Sequence, residues 1–150
     1  MHSRLNSFHQ LIVFGMSVFA GTLAWLPITT SAANASNCAT NEYMHNGSRM
    51  DYTVCDNKPV KIVYTRPRNA LKKHGVHAGT LFFLGDEMSN GRLFGIAHVF
   101  KRGCGDAPFA VRGFIEDHRI VLQGRAPVRN KRCIVIRERN ERLIFDLIQD

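Results

Sequence analysis

From Asp51 onward the sequence is a succession of short, strand-length apolar runs divided by Gly, Asn, Asp and Pro, a punctuation that restricts the chain to antiparallel β-structure. The runs cover 51–55, 60–65, 80–84, 93–101, 109–115, 119–123, 133–139 and 143–148. GDEMSNG (85–91), RGCGDA (102–107) and Arg-Asn-Glu-Arg (139–142) carry the residues that tight reversals need, so consecutive strands are expected to be neighbours. Apolar and polar positions alternate cleanly at Val60, Ile62 and Tyr64, at Ile120 and Leu122, and at Leu143, Phe145 and Leu147. In 93–101 one face reads Phe94, Ile96, His98, Phe100 and the other Leu93, Gly95, Ala97, Val99. A face of small residues beside a face of large ones suits a strongly curved sheet, and Gly113 and Gly124 are placed to mark further bends. The expected fold is all-β: a small antiparallel meander barrel or strongly curved sheet of about six to eight strands, preferred to a flat sandwich. One stretch departs from it. Pro67 and Gly75 bracket 67–74 as the start and stop of at most one short helix, an extended basic loop being the alternative.

The first 35 residues belong to another category. Arg4 precedes an uncharged apolar run at 11–28, which is followed by small and polar residues ending in Ala33-Asn34-Ala35. This is the layout of a secretory signal peptide, with cleavage expected after Ala35. A retained anchor is the competing reading, because about 18 apolar residues is the lower limit for spanning a bilayer. Pro27, Gly15, Gly21 and the small-residue site argue against it. The expected organisation is therefore a signal peptide at 1–35, an irregular N-terminal arm with the first strand at 36–59, and a β-barrel-like domain at 60–150. The product would be periplasmic or secreted, with no membrane span after processing.

All four cysteines lie in the mature part: Cys38, Cys55, Cys104 and Cys133. An even number in an exported chain implies disulfides, and sequential pairing, Cys38 with Cys55 and Cys104 with Cys133, is favoured among three connectivities. Their gaps are too wide for the close pairs of a metal site, and no metal or cofactor is expected.

The runs GTLFFLG, GIAHVFKRGCG, FAVRGF, IVLQGRAP and LIFDL, with the lone Cys133, resemble small exported proteins of alpha-proteobacteria. The resemblance spans 60–148 and rests on glycines and strand hydrophobics. It implies a bacterial envelope or extracellular setting and transfers no function and no catalytic residue.

Charge is the strongest surface signal. The whole chain has 20 Lys and Arg against 12 Asp and Glu, and loss of the signal peptide removes only Arg4 from that balance. Residues 61–77 hold Lys61, Arg66, Arg68, Lys72 and Lys73 with no acid, and 125–142 hold seven bases, among them Arg125, Arg129, Lys131 and Arg132, against Glu138 and Glu141. The functional reading is an anion-binding surface made of Arg66, Arg68, Lys72, Lys73, Arg125, Arg129, Lys131 and Arg132. The plain alternative is a solvated surface that keeps a small exported protein soluble.

Export disfavours nucleic acid and favours an anionic envelope polymer or an acidic protein as partner. The only tryptophan, Trp25, leaves with the signal peptide, so sugar stacking would fall to Tyr43, Tyr52 and Tyr64. His74 and His77 have a helical metal spacing but no third ligand near them. His98 reads as a hydrogen-bonded core or rim residue, and Asp86-Glu87 and Glu116-Asp117 as solvated turn acids. Neither a G-x-S-x-G elbow nor a free thiol supplies a nucleophile. The expected function is a non-enzymatic exported binding module. The alternatives are a hydrolase inhibitor acting through RGCGDAPF (102–109) and a small enzyme using His98 or His118.

Overall fold

The computed structural model describes residues 37–149; the expected signal segment, 1–35, lies outside them. Eight antiparallel strands run in sequence order around a closed barrel. They are β1 (Cys38–His45), β2 (Ser48–Cys55), β3 (Val60–Arg66), β4 (Leu81–Glu87), β5 (Arg92–Lys101), β6 (Gly105–Glu116), β7 (Arg119–Arg129) and β8 (Val135–Leu147). One turn of helix, α1 (Asn69–Lys72), interrupts the β3–β4 connection within the expected helical stretch. No helix among the described residues is long and apolar enough to cross a membrane.

Two expectations are corrected. The described part of 36–59 is not an irregular arm with a single strand. It contains the β1–β2 hairpin, which pairs from Cys38↔Cys55 to His45↔Ser48 and forms a wall of the barrel. Asn46 and Gly47 both have positive φ, the conformation that a two-residue hairpin turn demands and that these residues tolerate. The reversal expected at 139–142 is also absent. Arg139, Asn140, Glu141 and Arg142 continue β8 and pair with Ala126, Arg125, Gly124 and Gln123. Their polarity reflects exposure on a long hairpin, not a turn.

The small-residue face of β5 lines the interior. Leu93 and Ala97 are buried, whereas Phe94 and Ile96 on the outer face are 47% and 41% exposed. Gly85 and Gly95 stand opposite one another on β4 and β5. A Cβ on either would lie within 3 Å of the Phe83 ring, so the missing side chains make the room that this fully buried ring fills. Gly113 and Gly124 likewise face neighbouring backbone too closely for a side chain, a Cβ there falling 1.8 Å and 2.3 Å from the carbonyl oxygens of Val121 and Ala110. Phe145, Phe82 and Tyr64 meet edge to face across the interior. Val76 is buried with them and Leu71 packs on the cluster, so the β3–β4 connection closes one end of the barrel.

Because the strands alternate in direction, the β1–β2, β3–β4, β5–β6 and β7–β8 connections share one end, here the upper end. Among the described residues, every ladder, both disulfides and the buried core lie within 38–148, so the barrel closes on contacts of its own. The bridges are those expected, Cys38–Cys55 across the open end of the first hairpin and Cys104–Cys133 between two upper turns. Paired cysteines are the state of an oxidising compartment such as the periplasm or the cell exterior.

The seam between β1 and β8 is short, with two paired positions, Tyr43↔Leu147 and Met44↔Asp146. His45 extends it. Its buried ring donates from Nδ1 to the Ile144 carbonyl at 2.7 Å, accepts from the Asn46 amide at Nε2, and stacks on Phe145 with centroids 4.6 Å apart. Burial holds its pKa below the usual 6.5, against the raising effect of the Ile144 carbonyl. As pH falls below about 6.5 the unfolded chain takes up a proton that the folded ring resists, so stability should decline, by at most about 1.4 kcal/mol per pH unit for one proton. Urea unfolding across pH 7.5 to 5, approximate bounds around that value, should show this slope in the wild type and a smaller one in His45→Gln.

Breaking Cys104–Cys133 releases a 29-residue separation from its cross-link. The double Cys→Ser variant should unfold with about 3.5 kcal/mol less free energy than the oxidised wild type, read from urea midpoints.

Candidate anion-binding end

The β6–β7 ladder stops at Val111↔Gly124, although both strands continue toward the upper end. Extending its register would set Pro108 opposite Pro127, and neither can donate a hydrogen bond across the gap. The strands part into an open cleft of about 590 Å³ lined by Pro108–Val111 on one side and Gly124, Arg125 and Pro127 on the other. On its other flank β8 meets β1 only near its C-terminal end. Beyond Gly124 the β7–β8 hairpin is thus a two-stranded ribbon without a ladder neighbour on either side.

Its tip is fastened instead by side chains. Cys133 bonds to Cys104 in the β5–β6 turn. Arg129, 8% exposed, reaches the same turn and donates from Nη1 to the carbonyls of Cys104 (3.1 Å) and Asp106 (3.0 Å) and from Nη2 to those of Gly105 (2.9 Å) and Val99 (3.3 Å). Lys101 Nζ in turn donates to the Arg129 carbonyl. Arg129 is therefore removed from the expected anion-binding set: its fork is occupied by backbone. Arg125, also in that set, is exposed but ion-paired with Glu138 at 3.0 Å.

The other expected cations gather at the upper end. Arg66, Arg68, Lys72 and Lys73 sit at the start of the β3–β4 connection, all exposed, and Lys131 and Arg132 lie in the β7–β8 turn. The two groups are joined through the β5–β6 turn. Its Arg102 N–H donates to His74 Nδ1 at 3.0 Å on one side, and its Cys104 is bridged to Cys133 on the other. None of these six cations takes part in an ion pair among the described residues. Arg102 and Arg137, which the sequence reading did not single out as ligands, share this end and are likewise exposed and unpaired. The tip also carries exposed apolar residues, Ile134 at 57%, Val135 at 53% and Ile136 at 60%.

The remaining candidates resolve into structural parts. Tyr43, Tyr52 and Tyr64 are buried and cannot stack on a sugar from outside. Burial pushes the Tyr64 hydroxyl up to about 12, and the Tyr52 hydroxyl donates to Glu87 at 2.6 Å. Glu87 is therefore a partner of the core and not only a solvated turn acid. His77 Nδ1 bonds to the Ala78 carbonyl while His74 accepts from Arg102, and no cluster of three or more metal-ligating side chains occurs among the described residues.

His98 Nδ1 meets Asp106 at 2.6 Å, a bond that holds the Asp106 carboxyl below its usual range. His118 lies in the β6–β7 turn at the opposite end, so the two histidines share no site. Of the loop expected to insert into a hydrolase, only 102–104 is a turn; 105–109 is strand. Comparison with protein-family models, curated proteins and solved structures finds no match to this chain.

Arg129→Ala would strand carbonyls on β5 and β6 and free the ribbon, and should destabilise the fold by about 3 kcal/mol, whereas exposed Lys131→Ala should change stability by less than about 0.5 kcal/mol. Paired urea titrations of the two variants measure the contrast.

Proposed function

We propose that this protein is an exported, non-enzymatic binding module of the periplasm or cell exterior whose upper barrel end engages an anionic envelope polymer or acidic partner. The observation that carries the reading is the convergence of Arg66, Arg68, Lys72, Lys73, Arg102, Lys131 and Arg132 on one end, from three connections, without ion-pair partners among the described residues. Like charges held together on a stapled scaffold repel one another, and an anion arriving there relieves that repulsion while releasing its own counterions. Arginine forks add directional bonds to phosphate, sulfate or carboxylate oxygens. The rigid end loses little conformational freedom on binding, which favours recognition.

The plain alternative, a cationic surface serving only solubility, does not require cations from separate segments to share one end. It predicts no difference between basic sites of equal exposure. The oxidised domain, residues 36–150, should be retained on immobilised polyphosphate at about 50 mM salt and elute below about 300 mM. Lys72→Glu/Lys73→Glu and Lys131→Glu/Arg132→Glu should each lower the eluting salt concentration clearly. Lys58→Glu/Lys61→Glu, on β3 and the turn before it, should change it little. Equal effects from all three pairs would leave net charge as the sole cause and end the proposal.

A further inference from the structure

Ile134 immediately precedes β8, Val135 and Ile136 open it, and all three are more than half exposed. Val135 pairs with Arg129 and Arg137 with Val128, so Ile136 is the extra residue of a β-bulge and strict alternation is broken at the tip. The three apolar side chains are exposed together at one ribbon tip, and a medium that closes around the tip covers them all at once. Lys131, Arg132 and Arg137 immediately flank these residues. Apolar side chains flanked in sequence by long cationic ones match the layered chemistry of an anionic bilayer, acyl chains below and phosphates above.

Backbone satisfaction adds an independent requirement, since unpaired peptide groups resist transfer out of water. Here the turn itself binds four of its N–H groups. Asn130 N–H donates to the Ile134 carbonyl at 2.9 Å, Cys133 N–H to the Asn130 carbonyl at 3.1 Å, and Asn130 Oδ1 accepts from the N–H groups of Arg132 and Ile134 at 2.8 Å and 3.1 Å. The disulfide and Arg129 hold this turn in place before any contact is made.

We infer that the β7–β8 tip is a membrane-docking finger: Ile134, Val135 and Ile136 enter the interfacial layer of an anionic lipid surface while the surrounding lysine and arginines bind its phosphates. The inference rests on the anion-binding reading of the same end and commits it to lipid as the anion's carrier.

The test uses oxidised residues 36–150, which exclude the apolar run at 11–28, with vesicles of equal parts phosphatidylglycerol and phosphatidylcholine and vesicles of phosphatidylcholine alone. The domain should co-sediment with the anionic vesicles only. Ile136→Trp supplies the single tryptophan of this segment, because Trp25 is the only one in the chain, and its emission should shift to the blue on binding. Ile134→Ser/Ile136→Ser, which removes apolar surface without adding charge, should weaken vesicle binding about tenfold or more while leaving elution from polyphosphate and the urea midpoint in place. Polyphosphate retention without vesicle binding, vesicle binding indifferent to the serine pair, or unshifted tryptophan emission would overturn the finger and leave the anion-binding module standing. A concentration-dependent dimer abolished by the serine pair would assign the tip to a second copy and also overturn it. Loss of both polyphosphate and vesicle binding would take down both readings.

Discussion

A two-stranded ribbon that leaves a barrel has no neighbour to hold it, and a lone hairpin is marginal in water. The architecture of the upper end follows from this constraint. With Pro108 and Pro127 where the β6–β7 ladder would continue, the β7–β8 ribbon needs another attachment. Cys104–Cys133 and the Arg129 fork provide it at the tip, tying it to the β5–β6 turn. A disulfide fixes the distance between the two turns, and a planar guanidinium on four carbonyls fixes their orientation. The charge that Arg129 contributes to the composition is consequently absent from the exposed surface.

The same attachment gathers the cations. Lys131 and Arg132 would otherwise move with a free ribbon, and the β3–β4 connection would meet the β5–β6 turn only through His74 and Arg102. Joining the three connections holds the positive charges of separate segments at one end, where their fields add. Barrel closure imposes the opposite demand on the interior. Glycine and alanine line the tight side of β4 and β5 so that Phe83 can cross them, which turns larger apolar residues such as Phe94 and Ile96 outward.

Much of the fold was legible because β-structure writes itself in local signals. The small face of β5, the bend glycines and the sequential cysteine pairs were sufficient for a curved, stapled antiparallel sheet. The first hairpin was legible and not read: Asn46-Gly47 is a strong turn signal, and Cys38 and Cys55 stand equidistant from it in the sequence, so one pairing satisfies both. The polar character of CATNEYMH obscured it. The spurious reversal at 139–142 came from the opposite error, since on a ribbon exposed on both faces polarity carries no information about turning.

The site was less legible, for a physical reason. Local charge counts identify basic segments but not the partner of each base. Arg125 and Arg129 look alike in sequence, four residues apart, yet one is ion-paired on the outer face and the other is buried against backbone from a segment some two dozen residues earlier. Conversely, the run Ile134, Val135 and Ile136 carries no sequence signal of exposure, because consecutive β-branched residues usually mean burial on both faces. Their exposure follows from the ladder break, which two prolines announce only once the register between β6 and β7 is known. A residue's role at this end is therefore set by pairing across the sheet, and a pattern read along one strand cannot contain it.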